Sequence, residues 1–340
     1  MALQTAALLI LAQNYAGDIA RQINRRSQTL ALLRKVAGEG KNIAWAAESD
    51  GANAEAFAEG ADAANFAADA QGSAIIPWAL YRSNFSVSDF ARSAARSSRT
   101  PEGNIELIAR DIQNGAATLS SKINVDLFTG QSGQTPGQIV GFDEAIGLTN
   151  NTYATIDRSS AAYWRPYVVD PGSATVLTQA QVRTDLSTIM KAGGVKPNLA
   201  LVGPDTLNAI RATFDGQIIY DLLNVQTNDG EIALNAGTGA IRFGGCAFVE
   251  DKDCTEGKIY YLNTDAVEVQ HLPFDGPAMG GADEQMDSDL TDGVEAIPFG
   301  MKIEALSRNG PADRVMMQVQ PQLRVRRPNQ CGVRKNVKYS

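Results

Sequence analysis

The stretch Thr152–Asp170 reads TYATIDRSSAAYWRPYVVD, and it concentrates charged and aromatic side chains within nineteen residues. The neighbours Asp157 and Arg158 are followed by Trp164 and Arg165. Such a cluster can mark an active site. This one holds no histidine and no thiol, which commonly carry acid–base and nucleophilic catalysis. We therefore interpret the stretch as a structural element.

The same residue types fit a junction between two parts of the chain. Asp157 and Arg158 are expected to form an ion pair, either within one copy of the chain or between two copies. The aromatic pair Tyr163–Trp164 would supply buried area, and the planar guanidinium of Arg165 can donate two parallel hydrogen bonds. Pro166 stiffens an edge at which the chain turns.

The composition predicts a folded chain without a basic excess. It has 340 residues, which suits one large domain or two smaller ones, and 44% of them are hydrophobic, enough for a sizeable core. The formal net charge is −8, whereas proteins that grip nucleic acid through their surface are usually basic. The apolar run Ala6–Ala12 is far too short to span a bilayer. We expect no membrane segment and no tight polyanion binding.

Residue types that usually carry catalysis and metal binding are scarce. The only cysteines are Cys246, Cys254 and Cys331, without a C-x-x-C pair, and His271 is the only histidine. This number and spacing suit neither a zinc site nor a disulfide framework, and they fit a reducing compartment. No G-x-S-x-G or H-E-x-x-H motif is present. The sequence predicts a protein that is not an enzyme and has no cofactor or metal.

The N-terminal region combines a helical pattern with a predicted hairpin. Apolar residues at three- and four-residue steps predict an amphipathic helix over 3–36, packed either on its own domain or on a neighbouring copy. Residues 42–48 and 73–87 are predicted to form the two strands of a long hairpin. A long hairpin has little core of its own, so Trp45 and Trp78 would anchor it on another surface.

The strongest helical signal lies in the next segment. Apolar residues recur there at steps of three and four: Ile105, Ile108, Ile112, Ala116, Leu119, Ile123 and Leu127. Pro101 precedes this run and Gly130 follows it, as start and stop signals should. The pattern predicts one long spine helix over about 102–128.

The second half of the sequence is predicted to be α/β and to end in a hairpin. NLALVG at 198–203 is predicted to be a short buried strand, and a helix opens at Pro204. Residues 301–305 and 315–319 alternate as two strands around the turn dipeptide Asn309-Gly310. After Asp313 the chain has no acid, and a basic tail follows with Arg314, Arg324, Arg326, Arg327, Arg334, Lys335 and Lys338. Such charge asymmetry indicates a partner.

Residues 275–295 form an acidic, glycine-bearing segment without lysine or arginine. Its central acids are Asp283, Glu284, Asp287, Asp289, Asp292 and Glu295. Calcium binds oxygen-rich loops, but this spacing does not match an EF-hand loop. The pattern favours a solvated acidic loop over a calcium site.

The order of these parts resembles the major capsid proteins of tailed double-stranded DNA bacteriophages, whose fold is shared with the herpesvirus capsid floor and with encapsulins. YATIDRSSAAYWRP (153–166) looks like the family's passage from spine helix to axial domain. NLALVGPDTLNAI (198–210) is similar to its axial strand and helix, and GGCAFVEDKDCTEGKIYYLNTDAVEV (244–269) to its strand–turn–strand segment. The resemblance covers nearly the whole chain, and the order of the motifs carries it.

The resemblance implies an α+β fold of the tailed-phage major capsid type. Its parts would be an N-terminal arm at 1–40, an extended β-hairpin loop at 41–88, a peripheral domain at 89–170 with the spine helix, an α/β axial domain at 171–272, and a return to the peripheral domain at 273–340 with the β-hairpin and the basic C-terminal tail.

The resemblance also implies a structural function in the virion. Copies of the chain would self-assemble through hexamers and pentamers, in the host cytoplasm, into an icosahedral head that encloses double-stranded DNA without sequence-specific binding. Portal, scaffold and decoration proteins are further implied partners. The main alternative is an encapsulin-type shell around a cargo enzyme; a metal-dependent enzyme and a non-shell oligomeric scaffold are the others.

Aromatic and charged side chains of the hairpin, the junction and the tail are the candidates for contacts between subunits. They are Trp45, Trp78, Tyr81, Arg82, Asp157, Arg158, Trp164, Arg165, Arg324, Arg326 and Arg327. Some members of the family weld subunits through a Lys–Asn bond. The extended loop here offers only Lys41, at its base, so we expect no such cross-link.

Overall fold

A computed structural model describes residues 28–48, 56, 59, 71–89, 102–133, 135, 137–214, 223–227, 230–234, 241–272, 302–306 and 312–339. The predictions for residues 1–27, for most of the hairpin tip, for the acidic segment and for the Asn309-Gly310 turn lie outside these residues. Among the helices described, none is both long and apolar enough to cross a membrane.

The described residues form a mixed helix and sheet structure. The helices are α1 (Gln28–Leu32), α2 (Glu102–Thr129), α3 (Phe142–Ala145), α4 (Gln179–Gly193) and α5 (Pro204–Phe214). The first strands are β1 (Arg34–Ala37), β2 (Asn42–Glu48), β3 (Gln71–Pro77), β4 (Tyr81–Ser88), β5 (Thr152–Tyr153), β6 (Ile156–Asp157), β7 (Tyr167–Val169), β8 (Leu199–Val202) and β9 (Leu223–Thr227). The others are β10 (Gly230–Leu234), β11 (Ile241–Phe243), β12 (Cys246–Glu250), β13 (Ile259–Leu262), β14 (Val267–His271), β15 (Lys302–Leu306), β16 (Ala312–Val319), β17 (Pro321–Val325) and β18 (Gly332–Arg334). Short 3₁₀ turns lie at Ala162–Trp164 and Pro328–Gln330.

The long helix α2 confirms the predicted spine. Its 28 residues span about 42 Å at a rise of 1.5 Å per residue. Ala116, Leu119, Ile123 and Leu127 are buried, as the three- and four-residue steps require. The helix therefore runs along one side of the core as a rigid rod.

A six-stranded sheet, in the order β11-β12-β8-β13-β18-β7, separates two hydrophobic cores. Leu199 and Leu201 of β8 pack into the core that α2 also lines, while Ala200 and Val202 pack into a second core. Side chains of α4 and α5 fill that second core: Val182, Leu186, Ile189, Leu207 and Ile210. Because both faces are covered, the strand sequence is continuously apolar rather than alternating.

The C-terminal residues do not form a free tail. Strand β18 lies between β13 and β7 in the six-stranded sheet, so part of the predicted basic C-terminal tail is built into that sheet. A Cβ at Gly332 would lie 2.8 Å from the carbonyl oxygen of Tyr167, so only glycine fits this close approach. The N–H of Val337 then donates to Gly257 O at 2.9 Å.

The predicted strand over 73–87 is divided in two. Strand β3 pairs with β2, as the hairpin prediction required, whereas β4 pairs with β16 of the C-terminal hairpin. The break falls at Pro77, which has no N–H for a ladder, and the next donors bond elsewhere, with Leu80 N donating to Gly137 O at 2.7 Å. The C-terminal hairpin β15–β16 is confirmed, with Ile303 opposite Met317.

The described part of the N-terminal region packs on its own subunit. The predicted helix over 3–36 is wrong at its end, because β1 pairs in parallel with β14. Leu30 and Leu32 of α1 are buried. The backbone N–H and hydroxyl of Thr29 both donate to Asp251 Oδ2, at 3.0 and 2.6 Å, and Asn124 of α2 donates to Oδ1 at 2.9 Å. Asp251 thus fixes α1 against the spine helix.

Candidate functional site

A tight turn within Thr152–Asp170 contacts the β2–β3 hairpin. Strands β5 and β6 are joined by Ala154 and Thr155, whose φ values are 52° and 68°. Two positive φ values at non-glycine residues cost on the order of 1 kcal/mol each. Ala154 O accepts a hydrogen bond from Ile75 N at 3.0 Å, and the Thr155 hydroxyl donates to Ser73 O at 3.2 Å. The contacts with β3 support this strained turn.

Three aromatic rings pack beneath the same hairpin. The ring centroid of Tyr153 lies 6.5 Å from that of Trp45 and 6.2 Å from that of Trp164. Trp164 Nε1 donates to Tyr153 O at 3.1 Å, and Tyr153 Oη accepts from Val325 N at 2.9 Å. Burial raises the pKa of Tyr153 well above its ordinary value. The neutral phenol therefore serves as a fixed link between the hairpin, the turn and β17.

Among the residues that the structure describes, Arg158 is the largest fully buried side chain, with 1% exposure. Its Nη1 donates to Glu144 O at 2.9 Å and to Asn150 O at 3.2 Å, and its Nη2 donates to Ala145 O. Its Cζ lies 5.1 Å from the ring centroid of Tyr153. Burial lowers the pKa of Arg158 to about 10, although Tyr153 and Glu144 oppose this shift. The guanidinium ties the end of α3 to the aromatic cluster.

Asp157 and Arg158 do not form the predicted ion pair within the subunit. Asp157 accepts from Ser159 N at 2.8 Å and from the Ser159 hydroxyl at 2.6 Å; these bonds hold its pKa below the usual range. Arg165 is exposed, but its Nε donates to Arg158 O and its Nη2 to Ser159 O at 2.9 Å. Arg158 and Arg165 therefore both bond within their own subunit.

A second arginine covers the other side of the cluster. The Cζ of Arg324 lies 5.8 Å from the ring centroid of Trp45, and its Nη2 pairs with Glu268 Oε1. Glu268 is 3% exposed and also accepts from Gln270 Nε2 at 2.9 Å. Burial lowers the pKa of Arg324, and Glu268 opposes this shift. The hairpin therefore rests on a polar as well as an aromatic layer.

Two further predicted contact residues bond inside the subunit. Trp78 is buried, and its Nε1 donates to Gly40 O at 2.9 Å. The Tyr81 hydroxyl donates to Asp126 Oδ2 at 2.8 Å and accepts from Ile139 N at 3.0 Å. Both side chains fix the base of the hairpin to neighbouring loops and to α2.

The structure groups only part of the predicted set. Trp45, Arg158, Trp164 and Arg324 surround Tyr153, whereas Trp78 and Tyr81 contact other parts of the hairpin base. Arg82, Arg326 and Arg327 are exposed. The sequence analysis did not identify the central ring of Tyr153 or the buried Glu268. The only sequence signal for Tyr153 was its place in the quoted stretch.

The single histidine should make the subunit less stable at mildly acidic pH. Burial lowers the pKa of His271, and Lys35 lowers it further, so the unfolded chain takes up a proton near pH 6.5 before the folded chain does. Stability is therefore expected to fall as the pH drops below about 6.5. Melting temperatures at pH 7.5 and 5.5 should differ less in His271→Gln than in the wild type. Equal pH dependence in both proteins would contradict this assignment.

The described residues offer no obvious reactive centre. No group of three or more His, Cys, Asp or Glu within them could hold a metal ion. The three cysteines are free and buried, and burial raises the pKa of Cys331 to about 12 and that of Cys246 further. Thiolates are therefore disfavoured at neutral pH. The cluster is suited to holding chain segments together.

Comparisons with known proteins identify one family and one fold. The family model of the SU10 major capsid protein matches residues 3–338, while no curated protein matches the sequence. The capsid asymmetric unit of cyanophage A-1(L) is similar in structure, with a TM-score of 0.68, 19% identity, and coverage of 91% of this chain and 92% of that chain. The capsid of a native GTA particle has a TM-score of 0.57 and 12% identity, with coverage of 91% of this chain and 89% of that chain. The SrpI encapsulin of Synechococcus elongatus has a TM-score of 0.56 and 11% identity, with coverage of 92% of this chain and 90% of that chain. At these identities the solved structures indicate the fold.

Proposed function

The chain belongs to the SU10 major capsid protein family, and we propose that its copies assemble through hexamers and pentamers into the phage head around double-stranded DNA. Membership makes it a structural capsid protein of a tailed phage, with the predicted capsid fold. The family match over residues 3–338 is the observation that carries the proposal. The encapsulin similarity, at 11% identity, reflects the shared fold.

Particle formation tests this proposal directly. Purified protein should elute as a megadalton species and show icosahedral particles in negative stain. An ordinary small oligomer under all conditions would contradict it. Particles from infected cells should protect double-stranded DNA from nuclease, whereas a cargo protein in particles without DNA would favour the encapsulin alternative.

The β2–β3 hairpin supports a contact with a neighbouring subunit. Its inner face is buried, whereas Ala44, Ala46, Ser73 and Ile75 on its outer face are exposed. Exposed faces of antiparallel strands usually carry polar or charged residues, yet these four side chains are uncharged. We assign this face, together with the exposed Arg82, Arg326 and Arg327, to contacts between subunits. Portal, scaffold and decoration proteins remain further proposed partners.

Charged residues on this outer face should prevent assembly without unfolding the subunit. We expect the double variant Ala44→Lys/Ala46→Lys to lose assembled particles, because two lysines would lose hydration when another subunit covers them. The matched control Ala44→Ser/Ala46→Ser keeps small side chains and should assemble. Size-exclusion chromatography measures assembly, and circular dichroism checks the fold. Normal particles from the lysine variant would exclude this face from the interface.

A further inference from the structure

We propose that Arg326 and Arg327 form a cationic docking surface for the acidic segment 283–295 of a second copy of the chain. The inference rests on the proposed assembly of the capsid and names one contact within it. The two arginines follow β17 directly and are exposed. The hydrogen bonds and ion pairs of the described residues include none made by either guanidinium. Their charge is therefore available to a partner.

The surroundings of this surface carry excess positive charge. Arg324 lies two residues earlier, on β17, and its pKa is lowered by burial and also by the charge of Arg326. Glu268 is the buried carboxylate at this position, and it pairs with Arg324. Asp265 is exposed and directly precedes Ala266, whose carbonyl oxygen accepts a hydrogen bond from Arg326 N at 2.8 Å. Among the described contacts, Asp265 forms no ion pair with Arg326. The local charge thus favours an acidic ligand.

The chain itself contains a segment of complementary charge. Residues 283–295 hold Asp283, Glu284, Asp287, Asp289, Asp292 and Glu295, without a lysine or arginine. By contrast, the sequence after Asp313 contains no acid. In a shell built from one chain, an acidic and a basic segment can pair across every equivalent contact between subunits.

The position of Leu272, the last described residue before the acidic segment, favours a second copy over the same copy. The last described residue before the acidic segment, Leu272, donates its N–H to Gln320 O at 3.1 Å. Gln320 and Arg326 are six residues apart, which spans about 20 Å of extended chain. Leu272 therefore lies at the far end of β14 and β17 from the arginines. Within one subunit, residues 273–282 would have to span that distance back to Arg326.

Charge reversal tests the contact. In Arg326→Glu/Arg327→Glu we expect the subunit concentration needed for assembly to rise at least about tenfold at low salt, because like charges would meet across the interface. Asp287→Lys/Asp289→Lys/Asp292→Lys should have the same effect. The control Arg326→Lys/Arg327→Lys keeps the charge and should assemble nearly as the wild type does. Light scattering measures assembly, and the melting of dissociated subunits checks that each variant folds.

Mixing the two reversed variants separates a contact between copies from one within a copy. In an equimolar mixture, complementary pairs form only between unlike subunits, so assembly should recover close to the wild-type concentration. Recovery in a chain that carries all five substitutions, without recovery in the mixture, would show an internal contact and overturn the inference. Normal assembly of Arg326→Glu/Arg327→Glu would also overturn the inference. It would do so even if the particles of this variant protected less DNA than wild-type particles. Failure of the wild type itself to assemble would instead refute the proposed function.

Discussion

Replacing Arg334 by methionine is expected to lower the free energy of unfolding by about 3–5 kcal/mol, the range typical when one partner of a buried ion pair is removed. Arg334 Nε and Nη2 donate to the two carboxylate oxygens of Asp185, each at 2.6 Å. Asp185 is 0% exposed and Arg334 7% exposed. The variant would leave a buried carboxylate without its counter-charge, which is far more costly than losing a surface pair.

The geometry explains why this pair affects the whole second half of the chain. Asp185 lies on α4, Arg334 on β18, and the Tyr167 hydroxyl at the start of β7 also donates to Asp185 Oδ1 at 3.0 Å. The Tyr261 hydroxyl of β13 donates to Oδ2 at 3.3 Å. One carboxylate therefore joins α4 to three strands of the six-stranded sheet. Removing Arg334 should therefore loosen the packing between α4 and the six-stranded sheet.

Urea unfolding of dissociated subunits measures this effect, and two controls define it. The double variant Asp185→Leu/Arg334→Met should be less destabilised than Arg334→Met alone, because it removes both charges together. Lys338→Met, at an exposed position nearby in the sequence, should change stability by less than about 0.5 kcal/mol. A single Arg334→Met variant that unfolds at the wild-type urea concentration would contradict the assigned role.

Periodic patterns predicted the elements that depend on local sequence. The three- and four-residue steps gave α2 nearly to the residue, and alternation gave the two strands of the β15–β16 hairpin. Strand β18 could not be found in this way. It has only three residues, Gly332–Arg334, in a basic segment, and its two neighbours in the sheet are distant in sequence. Its position depends on long-range packing that no short pattern encodes.

The candidate site was predicted in its residue types but not in its contacts. Asp157 and Arg158 are neighbours of opposite charge, which suggested an ion pair. Successive side chains of an extended chain point in opposite directions, so Asp157 bonds to Ser159 and Arg158 turns into the core. Trp45 was predicted to anchor the hairpin and Trp164 to supply buried area at the junction, but the fold alone places their rings 6.3 Å apart.

Arg158→Met is expected to lower the free energy of unfolding by about 3 kcal/mol. Burial of the guanidinium is costly, as its lowered pKa shows. Three hydrogen bonds to backbone carbonyls, of residues 144, 145 and 150, offset that cost. Methionine matches much of the volume but leaves these carbonyls without their donor, and unpaired buried acceptors cost about 1–3 kcal/mol each.

Arg165→Met provides the matched control, because Arg165 belongs to the same stretch but is exposed. Its loss should cost less than about 1 kcal/mol. Hydrogen exchange gives a second measurement. In Arg158→Met the Tyr153 ring loses its cation contact, so the turn that accepts from Ile75 N should loosen and the amides of β3 should exchange faster than those of β13. Equal stability losses in the two arginine variants, or unchanged exchange in β3, would show that Arg158 does not hold the hairpin in place.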